Sequence, residues 1–118
     1  MYPSITFLQD WYRSQCNGKW EHGFGIEISS LDNPGWYVEV DLEGTALEAK
    51  LMESIKIAED GGGWMNCFLR EKKFIGSGDP SKLERILRCF QTFADSHGGF
   101  SSLPSAETIE SKDSNSAC

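Results

Sequence analysis

Basic charge in excess is the first thing this chain lacks. Eleven Lys and Arg stand against eighteen Asp and Glu, a formal charge of −7. A nucleic-acid binder needs a basic surface to displace counterions from phosphates, so the balance argues against that class. Histidine is scarce: His22 and His97 are the two present, with no H-x-x-x-H pair. A zinc site needs His, Cys or carboxylates at ligand spacing, so no metal or other cofactor is expected. The cysteines Cys16, Cys67, Cys89 and Cys118 form no C-x-x-C motif, and a scattered set of this kind fits a reducing compartment. No apolar run is long enough to span a bilayer, and the start Met1-Tyr2-Pro3-Ser4 has no basic leader region. Together these absences predict a cytoplasmic protein that uses neither membrane nor nucleic acid.

What the chain does have is length and apolar mass for one domain. Its 118 residues are too few for two ordinary domains. Four Trp, seven Phe and three Tyr can furnish a core or an interface. Ile5, Leu8, Trp11, Tyr12 and Cys16 recur at helical spacing, with Ser4 as candidate cap and Asn17-Gly18 as stop. Phe24, Ile26 and Ile28 then alternate with polar or small residues, as do Trp36, Val38, Val40 and Leu42. Period two with one polar face marks half-buried antiparallel strands. Asp32-Asn33-Pro34-Gly35 between them predicts a hairpin closed by a type II turn. Further strands are expected at Ser54 to Glu59, at Trp64 to Arg70 and, shorter, at Phe74 to Gly76. A last helix is expected from about Pro80 to Ser96, with Ser81 and Glu84 at capping-box spacing and an apolar stripe of Leu83, Ile86, Leu87, Phe90 and Phe93. The expected fold is α+β: an antiparallel four- to five-stranded meander sheet with the N-terminal and C-terminal helices packed on one face. The domain spans 1–97, and the Ser-rich stretch 98–118 reads as a disordered tail.

Four clusters of residues could carry chemistry or binding. Cys16 and His22, with Glu21 as orienting group, could make a thiol–imidazole pair, but Cys16 also completes the helix stripe. Gly76-Ser77-Gly78 precedes a helix but lacks the Lys and Ser/Thr of a P-loop, and Asp79 puts negative charge where a phosphate would sit. A turn plus a helix cap is its simpler role. Glu39, Asp41 and Glu43 share one face of the second strand, joined by Glu27 from the first. Such a face is either a solvated surface or a dock for a basic partner. The link Trp20-Glu21-His22 joins helix to sheet, where function tends to collect, although a buried Trp20 pinning the two together is the plainer reading.

The run Trp11-Tyr12-x-x-Gln15-Cys16-Asn17-Gly18-x-Trp20-Glu21-His22-x-Phe24-Gly25-Ile26, followed by Leu31-Asp32-Asn33-Pro34-Gly35-Trp36, resembles the immunity protein 53 family of bacterial polymorphic-toxin systems. The resemblance continues more loosely through Asp41-Leu42-x-Gly44-Thr45 and the Trp64 to Leu69 strand to the last helix, about residues 5 to 95. Asn17 and Lys19 depart from it, standing where acidic residues are expected. The resemblance implies a small inhibitor, not an enzyme, that binds and neutralises a cognate cytosol-acting toxin domain, with a basic nuclease as one such target. The candidate partner-binding residues are then Trp20, Glu21, His22, Glu27, Asp32, Asn33, Glu39, Asp41 and Glu43. The alternatives are a generic protein-binding adaptor, or a small enzyme using Cys16 and His22.

Overall fold

A computed structural model describes residues 2–97. The segment 98–118, read above as a tail, lies outside the described residues. The elements run α1 (Ser4–Gln15), α2 (Trp20–Gly23), β1 (Ile26–Leu31), β2 (Gly35–Asp41), β3 (Ile55–Ala58), β4 (Trp64–Arg70), β5 (Lys73–Gly78) and α3 (Leu83–Ser96). The fold is α+β, with one five-stranded antiparallel sheet and a helix at each end of the domain.

The strand order is β1-β2-β5-β4-β3, which corrects the single running meander. Two local meanders, β1–β2 and β3–β4–β5, join edge to edge through the β2–β5 pair. The segment from Leu42 to Ser54 makes this possible by carrying the chain to the far edge. It turns at once, Thr45 donating from both its N–H and its hydroxyl to Leu42 O, and it buries Leu47 on the way.

One sheet face carries Ile26 and Ile28, then Val38 and Val40, then Phe74 and Gly76, then Met65 and Cys67, then Ile55 and Ile57. This is the core face; in β4 the inward residues are Met65 and Cys67, while Phe68 lies on the opposite face. α3 lies across β2, β5 and β4, and α1 packs beside α3. Phe90 is the hub: its ring sits 5.4 Å from Phe74, 5.0 Å from Trp11 and 6.2 Å from Phe7. Gly76 and Gly78 let α3 come this close, because a methyl on Gly76 would run into Ile86 Cγ2 and one on Gly78 would lie 2.8 Å from Lys82 Cβ. Gly76-Ser77-Gly78 is therefore the end of β5, not a turn.

Three local expectations shift. The α1 stripe is rotated: Ser4, Phe7, Leu8 and Trp11 are buried, whereas Ile5 and Tyr12 are exposed. Ser4 lies inside the first turn and Pro3 takes the cap position. The hairpin forms, but its turn holds a cis Asn33–Pro34 peptide and not a type II turn. Gly35 is needed there for close approach, since a methyl would strike Gly78 O. α3 begins at Leu83, after a turn that Asp79 organises by accepting from the N–H and hydroxyl of Ser81, so the Ser81–Glu84 capping box does not form. Asp79 also accepts from Trp64 N–H and, with Glu59, from the buried Lys82 Nζ, tying three loops to the start of α3.

The two long helices do not cover the sheet's margins. A cleft of about 360 Å³ lies between α1 and β1, and one of about 570 Å³ between α3 and the β3 side.

Candidate partner-binding surface

No described element covers the other sheet face. Three rows cross it. Glu27, Glu39, Ile75 and Phe68 form one; Ser29, Tyr37, Ser77, Asn66 and Lys56 form the next; Asp41, Lys73 and Arg70 form a third. Strand alternation thus brings the predicted Glu27, Glu39 and Asp41 together.

Their charges are less free than the sequence suggests. Glu39 accepts from Lys73 Nζ at 2.8 Å and from Tyr37 OH at 2.7 Å. Lys73, and then Tyr37, hold the Glu39 carboxyl below its usual range. The same contact raises Lys73, while burial and then Glu39 raise the Tyr37 phenol. Asp41 lies 3.6 Å from Lys73 and also accepts from Gly25 N–H at 2.9 Å. Lys73 therefore offsets two carboxylates at once, whereas Glu27 is exposed and joins no ion pair among the described residues. Lys73 and Phe68 were missed in the sequence because β5 was expected at the end of a meander, not beside β2; Tyr37 shares the β2 face with Glu39, and Ile75 is buried among its neighbours. Phe68 also lies under Arg70, whose guanidinium carbon is 5.1 Å from the ring centre.

The 20–22 segment is built differently. Trp20 is buried, stacks on Phe24 and meets Trp11 edge-on. Its indole N–H donates to Glu43 O at 2.8 Å. Asn17 Oδ1 accepts from the N–H groups of Lys19 and Trp20, and Glu21 accepts from those of Asn17 and Gly18. Its own backbone N–H, with those two, keeps the Glu21 carboxyl low. Trp20 and Glu21 thus lock the helix-to-sheet link, and His22 is exposed beside them. Cys16 Sγ sits 3.4 Å from Tyr12 O, one helical turn back. Glu43 lies past the end of β2, so it is not on the strand face as expected; it is exposed, at the same end of the sheet as the 20–22 link. Asp32 and Asn33 are exposed at the opposite end, about 20 Å away along a seven-residue strand. The nine predicted residues therefore fall into three groups: the sheet face, its helix-link end and the hairpin tip.

Among the described residues no three His, Cys, Asp or Glu side chains are grouped to hold a metal ion. Nor is any helix long and apolar enough to cross a membrane.

The molecule is thus a small α+β domain with its helices on one sheet face and an open, mixed charged and aromatic surface on the other. A family model described as immunity protein 53 matches residues 5–95, and the chain belongs to that family. No curated protein and no solved structure matches it.

Proposed function

We propose that this chain is an immunity protein that binds a cognate toxin domain in the cytosol and blocks it without turnover. Family membership supports the kind of partner. The observation that carries the surface is the uncovered sheet face, where Glu27, Glu39 and Asp41 lie on the same face as the half-buried Tyr37 and Phe68. Exposed charge steers encounter and aromatic groups supply contact energy, a division common to tight interfaces. With a net charge of −7 the natural partner is basic, and a nuclease is basic where it holds phosphate. An acidic inhibitor placed over that groove excludes the substrate. An interface of about 800 Å² on each side is expected. His22 and Glu43 at one end and Asp32 and Asn33 at the other extend the surface, while Trp20 and Glu21 support it from within.

Co-expression with the toxin domain encoded beside the gene tests this. Growth should be restored and a stoichiometric complex should elute from a sizing column. Glu27→Lys should weaken both without changing thermal stability. Toxicity that persists, with no complex formed, sinks the proposal. Protection by far less than one equivalent would point to turnover and so to an enzyme.

A further inference from the structure

β1 is an edge strand that no described element pairs with on its outer side. It has six residues and a partner, β2, on one side only. Asp41 N–H donates to Gly25 O at 3.0 Å. Hydrogen-bonded and non-hydrogen-bonded pairs alternate along an antiparallel ladder. Glu27, Ser29 and Leu31 therefore turn their backbone groups towards β2, and Ile26, Ile28 and Ser30 turn theirs outward. Each outward residue offers one N–H and one C=O, and no described residue receives them.

Proteins usually blunt such an edge with Lys, Pro, a bulge or a very short strand. The opposite edge is protected in this way, because β3 has four residues and carries Lys56. β1 reads Ile-Glu-Ile-Ser-Ser-Leu, with regular register and no Lys or Pro. Its two sides also differ in chemistry. Of the four exposed large apolar side chains among the described residues, three lie here: Ile5, Tyr12 and Ile28. Ile5 and Tyr12 line the α1–β1 cleft with Ile26, and Ile28 follows on the same face. On the opposite face stands Glu27, exposed and outside any ion pair.

We propose that a strand of the partner adds to the β1 edge. Its apolar side chains enter the α1–β1 cleft, and its alternate Lys or Arg side chains meet Glu27. This rests on the toxin-binding reading and specifies its geometry. Main-chain hydrogen bonds supply affinity in this mode, and alternate side chains supply specificity. The occupant is an extended segment of a basic protein. A second copy of this chain would bring the same charge of −7 to the edge and be repelled.

The test is amide hydrogen exchange on the full chain, alone and with the toxin domain encoded beside its gene. In the complex the amides of Ile26, Ile28 and Ser30 should slow by about a hundredfold or more. Ser30→Pro removes one outward donor and none from the β1–β2 ladder, so it should weaken binding by about tenfold with thermal stability little changed. The exchange measurement needs no variant, so a Ser30→Pro chain that failed to fold would leave the test standing. If the complex forms and protects cells while these amides exchange as in the free chain, the edge proposal is wrong and the toxin-binding reading survives. Protection of the same amides in the free chain, lost on dilution, would give the edge to a second copy and overturn the proposal. No complex and no protection would overturn both.

Discussion

At Asn17 one side-chain oxygen accepts two backbone N–H groups, from Lys19 and Trp20, each at 2.9 Å. The task needs an acceptor and no donor, so an acidic residue, expected here from the family resemblance, would serve equally. Asn17→Ala should therefore cost about 1 kcal/mol, as lost caps do, while Asn17→Asp should cost little. Urea denaturation of the two variants checks this, and equal losses would mean that the amide nitrogen matters. Asp79 makes a second residue-scale argument. Lys82 first, then the Ser81 hydroxyl and the N–H groups of Ser81 and Trp64, hold its carboxyl well below the usual carboxylate range. A carboxyl lowered by folding stabilises fully above its unfolded value of about 4, and that contribution is withdrawn as pH falls towards the native value. Asp79→Asn should thus lower the melting temperature at neutral pH, and the gap with the wild type should narrow under acid. Melting temperatures measured from about pH 7 to about pH 2 decide it, and a constant gap would assign the loss to packing. The recognisable sequence block around Trp11, Asn17, Trp20 and Glu21 proves largely structural, which is why it named the family without naming the binding face.

Among the elements, the β5–α3 contact carries the tightest constraint. Gly76 faces Ile86 Cγ2 so closely that a methyl cannot fit without movement. Gly76→Ala should cost about 1–3 kcal/mol through overpacking, and Ile86→Ala about 2–5 kcal/mol through the cavity it leaves. Together the two should cost clearly less than their sum, because Ile86→Ala removes the clashing methyl and the new alanine fills part of the space. Denaturation of the four proteins in the cycle measures the coupling, and additivity would show that α3 shifts away instead. This contact also explains what could be read in advance. The two long helices and the strands were legible because most of their apolar residues repeat with clean periods, whereas the one-turn α2 was read as a link. The phase of α1 was not, since Ile5 and Phe7 are both apolar and the period does not say which one faces Phe90. The strand order was hidden for a related reason. β3–β4–β5 closes through short local turns, but β2–β5 pairing links residues far apart in sequence, such as Trp36 and Gly78, and leaves no local mark.

For the whole molecule, charge is unevenly placed rather than merely negative. Lys73 offsets Glu39 and Asp41 in the middle of the open face, and Lys82 offsets Asp79 and Glu59 near the α3 start. Glu27 and Asp32 remain as exposed carboxylates along the β1–β2 margin. The acidic face read from the sequence is thus an acidic margin beside a polar and aromatic centre. Carboxylates already held by lysines hardly steer an approaching partner, whereas exposed ones act over about a Debye length and are screened by salt. The association rate with a basic toxin domain should therefore fall about tenfold or more between about 20 mM and about 300 mM salt, with the dissociation rate little changed. Glu27→Gln combined with Asp32→Asn should reduce that salt dependence while leaving dissociation within about twofold. Glu39→Gln should instead lower stability, because it leaves Lys73 and Tyr37 short of a partner. Stopped-flow or surface-binding kinetics over that salt range separate the two. An association rate indifferent to salt would shift the burden of recognition to the apolar cleft beside β1.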